Sequence, residues 1–140
     1  MQANEAGIGW VPALLITAVF FGALHLLNPS ATLFGALAIA VEAGLLLGAV
    51  FLATRSLWAV IGLHAAWNAT EALLGIPVSG QVAPALFRVD VSGSELLTGG
   101  DFGIEASVVP MVIGAVAAAV LLVVAHRSGR LGPAFGRRPS

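Results

Sequence analysis

The chain of 140 residues contains no cysteine, and only 9% of its residues are charged. Without cysteine there is no disulfide framework, no thiol nucleophile and no thiolate metal site. The net charge of −1 leaves no basic excess, so we expect no nucleic-acid partner. A soluble domain carries about 25% charged residues, and this chain has too few to cover a water-facing surface. The composition therefore excludes a soluble globular protein.

Instead, 59% of the residues are hydrophobic, and most of them lie in four segments that could each cross a bilayer, which takes roughly 17–25 residues. Asn28-Pro29 ends the first segment, and Gly75 with Pro77 ends the third. No cleavable signal peptide is indicated, because Glu5 lies where a positive region would be. We predict an all-α polytopic membrane helix bundle that forms a single domain over residues 1–140. Its transmembrane helices, about four in number, are predicted at about 10–27, 32–53, 56–74 and 107–125.

A longer loop, residues 76–106, is predicted between the third and fourth helices. Residues 86–91 alternate weakly in polarity, which is enough for a short strand or an interfacial ribbon. The tail, residues 126–140, is rich in Arg, Gly and Pro, so we expect it to be disordered.

The arginines predict the orientation of the bundle in the membrane. One lies between the second and third helices and four follow the last helix, namely Arg55 and then Arg127, Arg130, Arg137 and Arg138. With four spans both groups fall on one side, and the positive-inside rule makes that side cytoplasmic. We therefore predict a cytoplasmic C-terminus and an external loop.

Two histidine motifs lie inside the apolar segments, in Phe21-Gly-Ala-Leu-His25 and in His64-Ala-Ala-Trp67-Asn68. Each pairs a histidine with a side chain four residues away, which places both on one helical face. An ionisable residue inside a membrane is expensive, so it is a functional-site hypothesis by default. The structural alternative is a polar seam that holds neighbouring helices together. Two such motifs in one small chain favour one shared site.

The residues alone give only part of a hydrolytic site. Two histidines and an asparagine could bind a metal or polarise a carbonyl, but hydrolysis also needs a base, often a carboxylate, to activate water. The sequence shows no paired carboxylates. Glu42 lies midway along the second helix with no basic residue nearby, and Glu71 lies nearer a helix end, where it could reach the interface.

These motifs resemble those of the CPBP intramembrane proteases, the family of type II CAAX prenyl endopeptidases and bacteriocin-processing enzymes. Phe21…His25 is similar to the Phe-x-x-x-His signature of that family, and His64…Asn68 to its His-x-x-x-Asn signature. The likeness extends from Trp10 onward. Other segments that carry it are Gly44-Leu-Leu-Leu-Gly48, Thr54-Arg-Ser-Leu-Trp58 and, in likeness to a bacterial subset, residues 75–80 and 98–107.

The resemblance implies an intramembrane endopeptidase that hydrolyses peptide bonds of membrane-associated or prenylated peptides or proteins in a bacterial cytoplasmic membrane. It implies that His25 and His64 are catalytic or, if a metal is bound, that they ligate a divalent ion such as zinc, as in a metalloprotease. Asn68 would polarise the substrate carbonyl or stabilise an oxyanion, with Phe21 and Trp67 in support. The implied partners are the lipid bilayer and a peptide or protein substrate.

The chain departs from the family pattern at the first signature, a Glu-Glu-x-x-x-Arg stretch that supplies the water-activating carboxylate ahead of the Phe-x-x-x-His helix. Before Trp10 there is only the lone Glu5, without the arginine. We therefore expect the C-terminal portion of such an enzyme, explained by a late start codon, a fragment, or a partner such as a missing N-terminal half or a second copy. Glu42 and Glu105 match no catalytic position of the family.

Two interpretations from other classes stay open at this point. One is a non-catalytic membrane scaffold or immunity-type protein that lacks the Glu-Glu motif. The other is a transporter fragment that relays protons through its histidines, although the paired broken helices typical of transporters are not evident.

A shared site also requires His25 and His64 to lie at a similar depth in the membrane. At about 1.5 Å per residue, His25 and His64 would differ in membrane depth by about 12 Å if both helices began at the same interface. A single site requires the two imidazoles to lie close together.

Overall fold

The structure, a computed structural model, describes Met1 and residues 7–136. These residues form helices and loops, and within them the only β-type pairing is an isolated bridge between Val78 and Gln81. Three helices have the length and composition to cross a bilayer, namely Trp10–Leu27, Leu33–Thr54 and Val108–Arg127. The predicted all-α membrane bundle is thereby confirmed.

The helices follow one another with short connections until the long loop. Helix α1 is followed by a 3-10 turn, and the second span, called the central helix here, consists of α2, a π-helical segment and α3. The bounds are α1 Trp10–Leu24, the turn His25–Leu27, α2 Leu33–Ile39, the π segment Ala40–Gly44, α3 Leu45–Thr54, α4 Leu57–Leu74, α5 Glu95–Thr98 and α6 Val108–Arg127. If the 3-10 turn is counted with α1, the four long helical segments begin and end within two residues of the predicted bounds.

The helix ends follow from local chemistry. The Thr32 hydroxyl accepts a hydrogen bond from the Gly35 amide at 2.9 Å, and the Ser56 hydroxyl accepts one from the Ala59 amide at 3.3 Å. These are N-caps, which satisfy amides that have no partner inside the helix. Helix α4 ends at Gly75, whose φ of 73° suits a residue without a side chain.

Helix α4 is not among the three helices that qualify as spans within the described residues. Its 18 residues include His64, Asn68 and Glu71, which lower its hydropathy. The polar residues that suggest a functional site on α4 thus also lower the hydropathy by which a membrane span is identified. That α4 is a fourth span stays a prediction.

Small residues let α1 and α6 approach the central helix closely. A Cβ on Gly22 would lie 2.3 Å from the Ala36 carbonyl oxygen, and one on Gly44 would lie 2.8 Å from the Ala18 Cα. These pairs make α1 antiparallel to the central helix. Close backbone approach through glycine and alanine is the usual way membrane helices pack.

Helix α6 runs parallel to the central helix along its other side. A Cβ on Gly114 would lie 2.7 Å from both the Cα and the carbonyl oxygen of Glu42. At the far end the Arg130 guanidinium donates a hydrogen bond to the Ala53 carbonyl, next to Arg55. Two of the arginines used to predict the orientation therefore lie at the same end of the bundle, and which side of the membrane that end faces stays a prediction.

The tail from residue 126, for which disorder is predicted, makes backbone hydrogen bonds in its described part. The last helix continues to Arg127. Beyond it, the Trp10 and Val11 amides donate to the Pro133 and Ala134 carbonyls, each at 3.1 Å. The unsatisfied amides at the start of α1 thus find acceptors in the tail. Residues 137–140 with Arg137 and Arg138, and likewise Glu5, lie outside the described residues.

The long loop forms short helical turns instead of the strand allowed for residues 86–91. Its Phe87 and Val89 amides donate to the Leu73 and Leu74 carbonyls at 2.9 and 3.1 Å. These are two of the last carbonyls of α4, which no residue inside the helix can satisfy. The segment therefore closes the end of α4 rather than pairing with another strand.

Candidate functional site

His25 lies where α1 ends and the 3-10 turn begins. Its Nδ1 is 2.7 Å from the Phe21 carbonyl oxygen. A carbonyl can only accept a hydrogen bond, so Nδ1 carries the hydrogen and, in the neutral ring, Nε2 keeps its lone pair. The local turn therefore fixes both the tautomer and the direction of this imidazole.

The ring of Phe21 lies between the two histidines. Its centroid is 4.7 Å from that of His25, with the rings tilted by 51°, and 5.5 Å from that of His64 in an edge-to-face contact at 71°. Both distances fall in the range of attractive aromatic contacts. The depth difference of about 12 Å expected from helical rise is thus not realised. Counting residues from helix ends assumes parallel axes and ends at one level, whereas packed helices cross at angles.

A small cavity of about 30 Å³ connects the two motifs. All five predicted site residues line it, with seven others: Phe21, His25, His64, Trp67 and Asn68, then Ile39, Glu42, Ala43, Leu46, Leu47, Leu63 and Glu105. A cavity must offer about 10–15 Å³ to hold one water molecule. The space is therefore enough for a reacting water at a point that both histidines reach.

Several buried polar atoms around this cavity have no hydrogen-bond partner among the described residues. They include the Asn68 Oδ1 and the Glu42 Oε2. An unsatisfied buried polar atom costs about 1–3 kcal/mol, and native structures keep few of them. Their concentration at one cavity is typical of a site that binds something polar.

Three glutamates are buried next to the motifs, although the sequence indicated no paired carboxylates. Glu42 is 4% exposed, Glu71 5% and Glu105 7%. Glu71 interacts with Glu105 and with Trp67, so it does not reach the interface as its place near a helix end suggested. The fold thus brings together carboxylates that are far apart in the sequence.

Glu105 is tied to the long loop. Its Oε2 accepts hydrogen bonds from both the amide and the hydroxyl of Ser79, each at 2.7 Å. No local sequence pattern predicts this contact, because the two partners are 26 residues apart. The signals available in the sequence were Glu42, a carboxylate in an apolar helix without a basic neighbour, and Glu71, seven residues after His64 on the same helix face.

The described residues do not offer a set of donors for the divalent ion considered above. No group of three or more His, Cys, Asp or Glu side chains among them is arranged to hold a metal ion. The residues in hand thus do not fit a zinc centre, which needs at least three protein ligands.

A larger groove of about 670 Å³ adjoins the cavity. It shares Phe21, Leu47 and His64 with the cavity and extends to Ser56 and Trp58 at the start of α4. Apolar side chains of α1, α3 and α4 form most of its wall. His64 therefore lines both the cavity and a mostly apolar groove between helices.

A comparison with protein families finds one match. A family model described as type II CAAX prenyl endopeptidase Rce1-like matches residues 1–70. The matched half includes both histidine motifs and Glu42, and it stops before Glu71 and Glu105. Neither the curated proteins nor the solved structures include a match to this chain.

Proposed function

Because the chain belongs to the family of Rce1-like type II CAAX prenyl endopeptidases, we propose that it hydrolyses peptide bonds at the cavity between His25, His64 and Asn68. The observation that carries this proposal is the contact of both histidine rings with the ring of Phe21. It joins two motifs from separate helices around a space the size of a water molecule. A polar seam between helices would not require such a space.

The side chains suggest a division of roles. The Nε2 of His25 is free to accept a hydrogen bond from a water in the cavity, because Nδ1 is held by the Phe21 carbonyl. His25 would thereby orient the attacking water. The Asn68 carboxamide has an oxygen without a partner, and its N–H groups can donate to the substrate carbonyl. Donors aimed at a developing oxyanion contribute strongly in a water-poor site. His64, on the same helix face as Asn68, would donate to the same oxygen.

The surroundings favour a substrate that reaches the site from the membrane. A groove with mostly apolar walls leads to His64, and three helices of the chain are apolar enough to span a bilayer. An extended peptide with an apolar or prenylated side chain suits this path. We propose membrane-associated or prenylated peptides as the substrate class.

Replacement of the histidines tests the proposal. In chain reconstituted into liposomes, His25→Ala and His64→Ala should each lower the cleavage of fluorogenic peptides, prenylated and unmodified, by about a hundredfold or more. This is the usual loss when a group that orients a reactant or stabilises an oxyanion is removed. His126→Ala is the matched control, because His126 is exposed at the end of α6. Circular dichroism should show the same helix content in all variants.

Full activity in both histidine variants would overturn the proposal. Peptide binding without any cleavage by the unmodified chain would instead support the alternative predicted from the sequence, a non-catalytic scaffold or immunity-type protein. Cleavage that appears only at high protein density in the membrane would support self-association, which like a separate N-terminal half stays a prediction.

A further inference from the structure

A carboxylate of the chain itself lies in the cavity that the histidines line. Glu42 is a lining residue, is 4% exposed, and its Oε2 has no hydrogen-bond partner among the described residues. A buried carboxyl group without a partner is costly and is not explained by packing. We propose that Glu42 is a catalytic residue, the group that takes the proton from the attacking water; this inference rests on the proposed hydrolysis.

The backbone around Glu42 is built to hold it in place. Residues Ala40–Gly44 form a π-helical turn, which inserts an extra residue and redirects the side chains that follow. Such turns are rare and occur frequently at functional sites. Gly114 of α6 lies directly against the Glu42 backbone, and Ala18 of α1 lies against Gly44. Contact from two sides fixes the direction in which Glu42 points.

The other two glutamates suit this role less well. Glu105 also lines the cavity, but its Oε2 is already bound to the amide and the hydroxyl of Ser79. Those bonds make it a tie between the long loop and the start of α6. Glu71 does not line the cavity. Of these three glutamates, Glu42 is the one that combines a place in the cavity wall with an oxygen that has no partner among the described residues.

The proposed step is balanced within the site. The Glu42 carboxylate removes a proton from water, and the resulting hydroxide forms a bond to the carbonyl carbon of the substrate. The electron pair of the carbonyl moves to its oxygen, which Asn68 and His64 stabilise. When the pair returns, the C–N bond breaks and the proton held by Glu42 passes to the leaving nitrogen. One water is consumed, an acid and an amine are formed, and Glu42 is again a carboxylate.

The test compares two glutamine substitutions. Glu42→Gln keeps the shape of the side chain and removes the proton acceptor, so kcat should fall by at least about a hundredfold with KM unchanged. Glu95→Gln makes the same chemical change at an exposed position of the loop and should leave both constants as they are. Glu42→Ala should lose as much activity, and added formate should restore part of it by supplying a carboxylate in the vacated space.

The outcomes separate the two proposals. If His64→Ala loses activity while Glu42→Gln keeps it, hydrolysis stands and the role of Glu42 is overturned. If Glu42→Ala is inactive but formate gives no recovery, Glu42 is structural and the inference fails. If His64→Ala is fully active, or the unmodified chain cleaves no peptide, the proposed function itself fails and the inference fails with it.

Discussion

The central helix and α4 are stabilised in different ways. In the central helix, Leu33–Thr54, 61% of the most apolar stretch of 18 residues is buried. The helix contacts α1 at Gly44 and α6 at Glu42. In α4, Leu57–Leu74, the single buried residue is Glu71. One helix is packed for stability, whereas the other lies beside it and contributes His64 and Asn68. The comparison shows that the site is formed between a tightly packed unit and a helix that is held loosely.

The first prediction concerns the α4 side of the site and has the largest expected effect. Asn68→Ala should lower peptide cleavage by about 10²–10³-fold, because the substrate carbonyl loses a donor where its negative charge develops. Thr70→Ala should cleave at the normal rate, since Thr70 is exposed on the same helix and bonds only to the Ala66 carbonyl. Assays with the fluorogenic peptides on the reconstituted variants measure both cleavage rates. Equal rates would remove Asn68 from the site.

The second prediction compares how much packing at the central helix and packing at α4 contribute to the free energy of unfolding. Gly114→Ala should destabilise the protein by about 1–3 kcal/mol, the usual cost of overpacking, because the new Cβ would meet the Glu42 backbone at 2.7 Å. Gly62→Ala on α4 should be neutral or stabilise by up to about 1 kcal/mol, since no atom lies within 4 Å of its Cβ position. Detergent-denaturation curves give both free energies of unfolding. A comparable loss at the two sites would contradict the difference in packing.

The third prediction concerns the ring that joins the two units. Phe21→Leu should lower kcat by about three- to tenfold, because the contact of Phe21 with both imidazoles is worth about 0.5–1.5 kcal/mol beyond its buried area. Phe20→Leu is the control, since Phe20 is 62% exposed and lies outside the cavity wall. A larger loss in the Phe20 variant than in the Phe21 variant would refute the bridging role of Phe21.

The fourth prediction has the smallest effect and concerns the packed unit alone. Arg130→Gln removes the hydrogen bond to the Ala53 carbonyl and should cost about 0.5–1.5 kcal/mol of stability. Arg88→Gln should leave the unfolding curve in place, because Arg88 and its partner Asp90 are almost fully exposed and such pairs contribute little. Peptide cleavage should be normal in both variants.

The helices were predictable because their signals are local. Thr32 and Ser56 cap the helices that follow, and Gly75 ends α4. One or two local residues therefore determine each of these boundaries. The π turn at Ala40–Gly44 was not predictable, since it depends on the glycine of another helix, Gly114, lying against it. The contact of the tail with the start of α1 was likewise not predictable, because its partners lie at opposite ends of the chain.

The site was predictable to the extent that it repeats at helical spacing. Phe21 with His25, and His64 with Asn68, are each four residues apart, so each pair shares a helix face. Among the carboxylates, only Glu71 continues this spacing, seven residues after His64. Glu105 reaches the site through a loop that Ser79 holds, and Glu71 becomes buried only where that loop and α4 meet. Contacts made across such distances in sequence are invisible without the fold.

The most direct test of the account is whether the histidine motifs of α1 and α4 meet in a bilayer. Solid-state NMR on chain with ¹³C-labelled phenylalanine rings and ¹⁵N-labelled histidine, carrying His25→Gln to leave His64 as the only labelled imidazole near Phe21, would measure their dipolar contact. The structure predicts a contact consistent with centroids 5.5 Å apart, which disappears in the Phe21→Leu variant. The same weak signal with and without the Phe21 ring would contradict the account, because α4 would then not bring its histidine to the cavity.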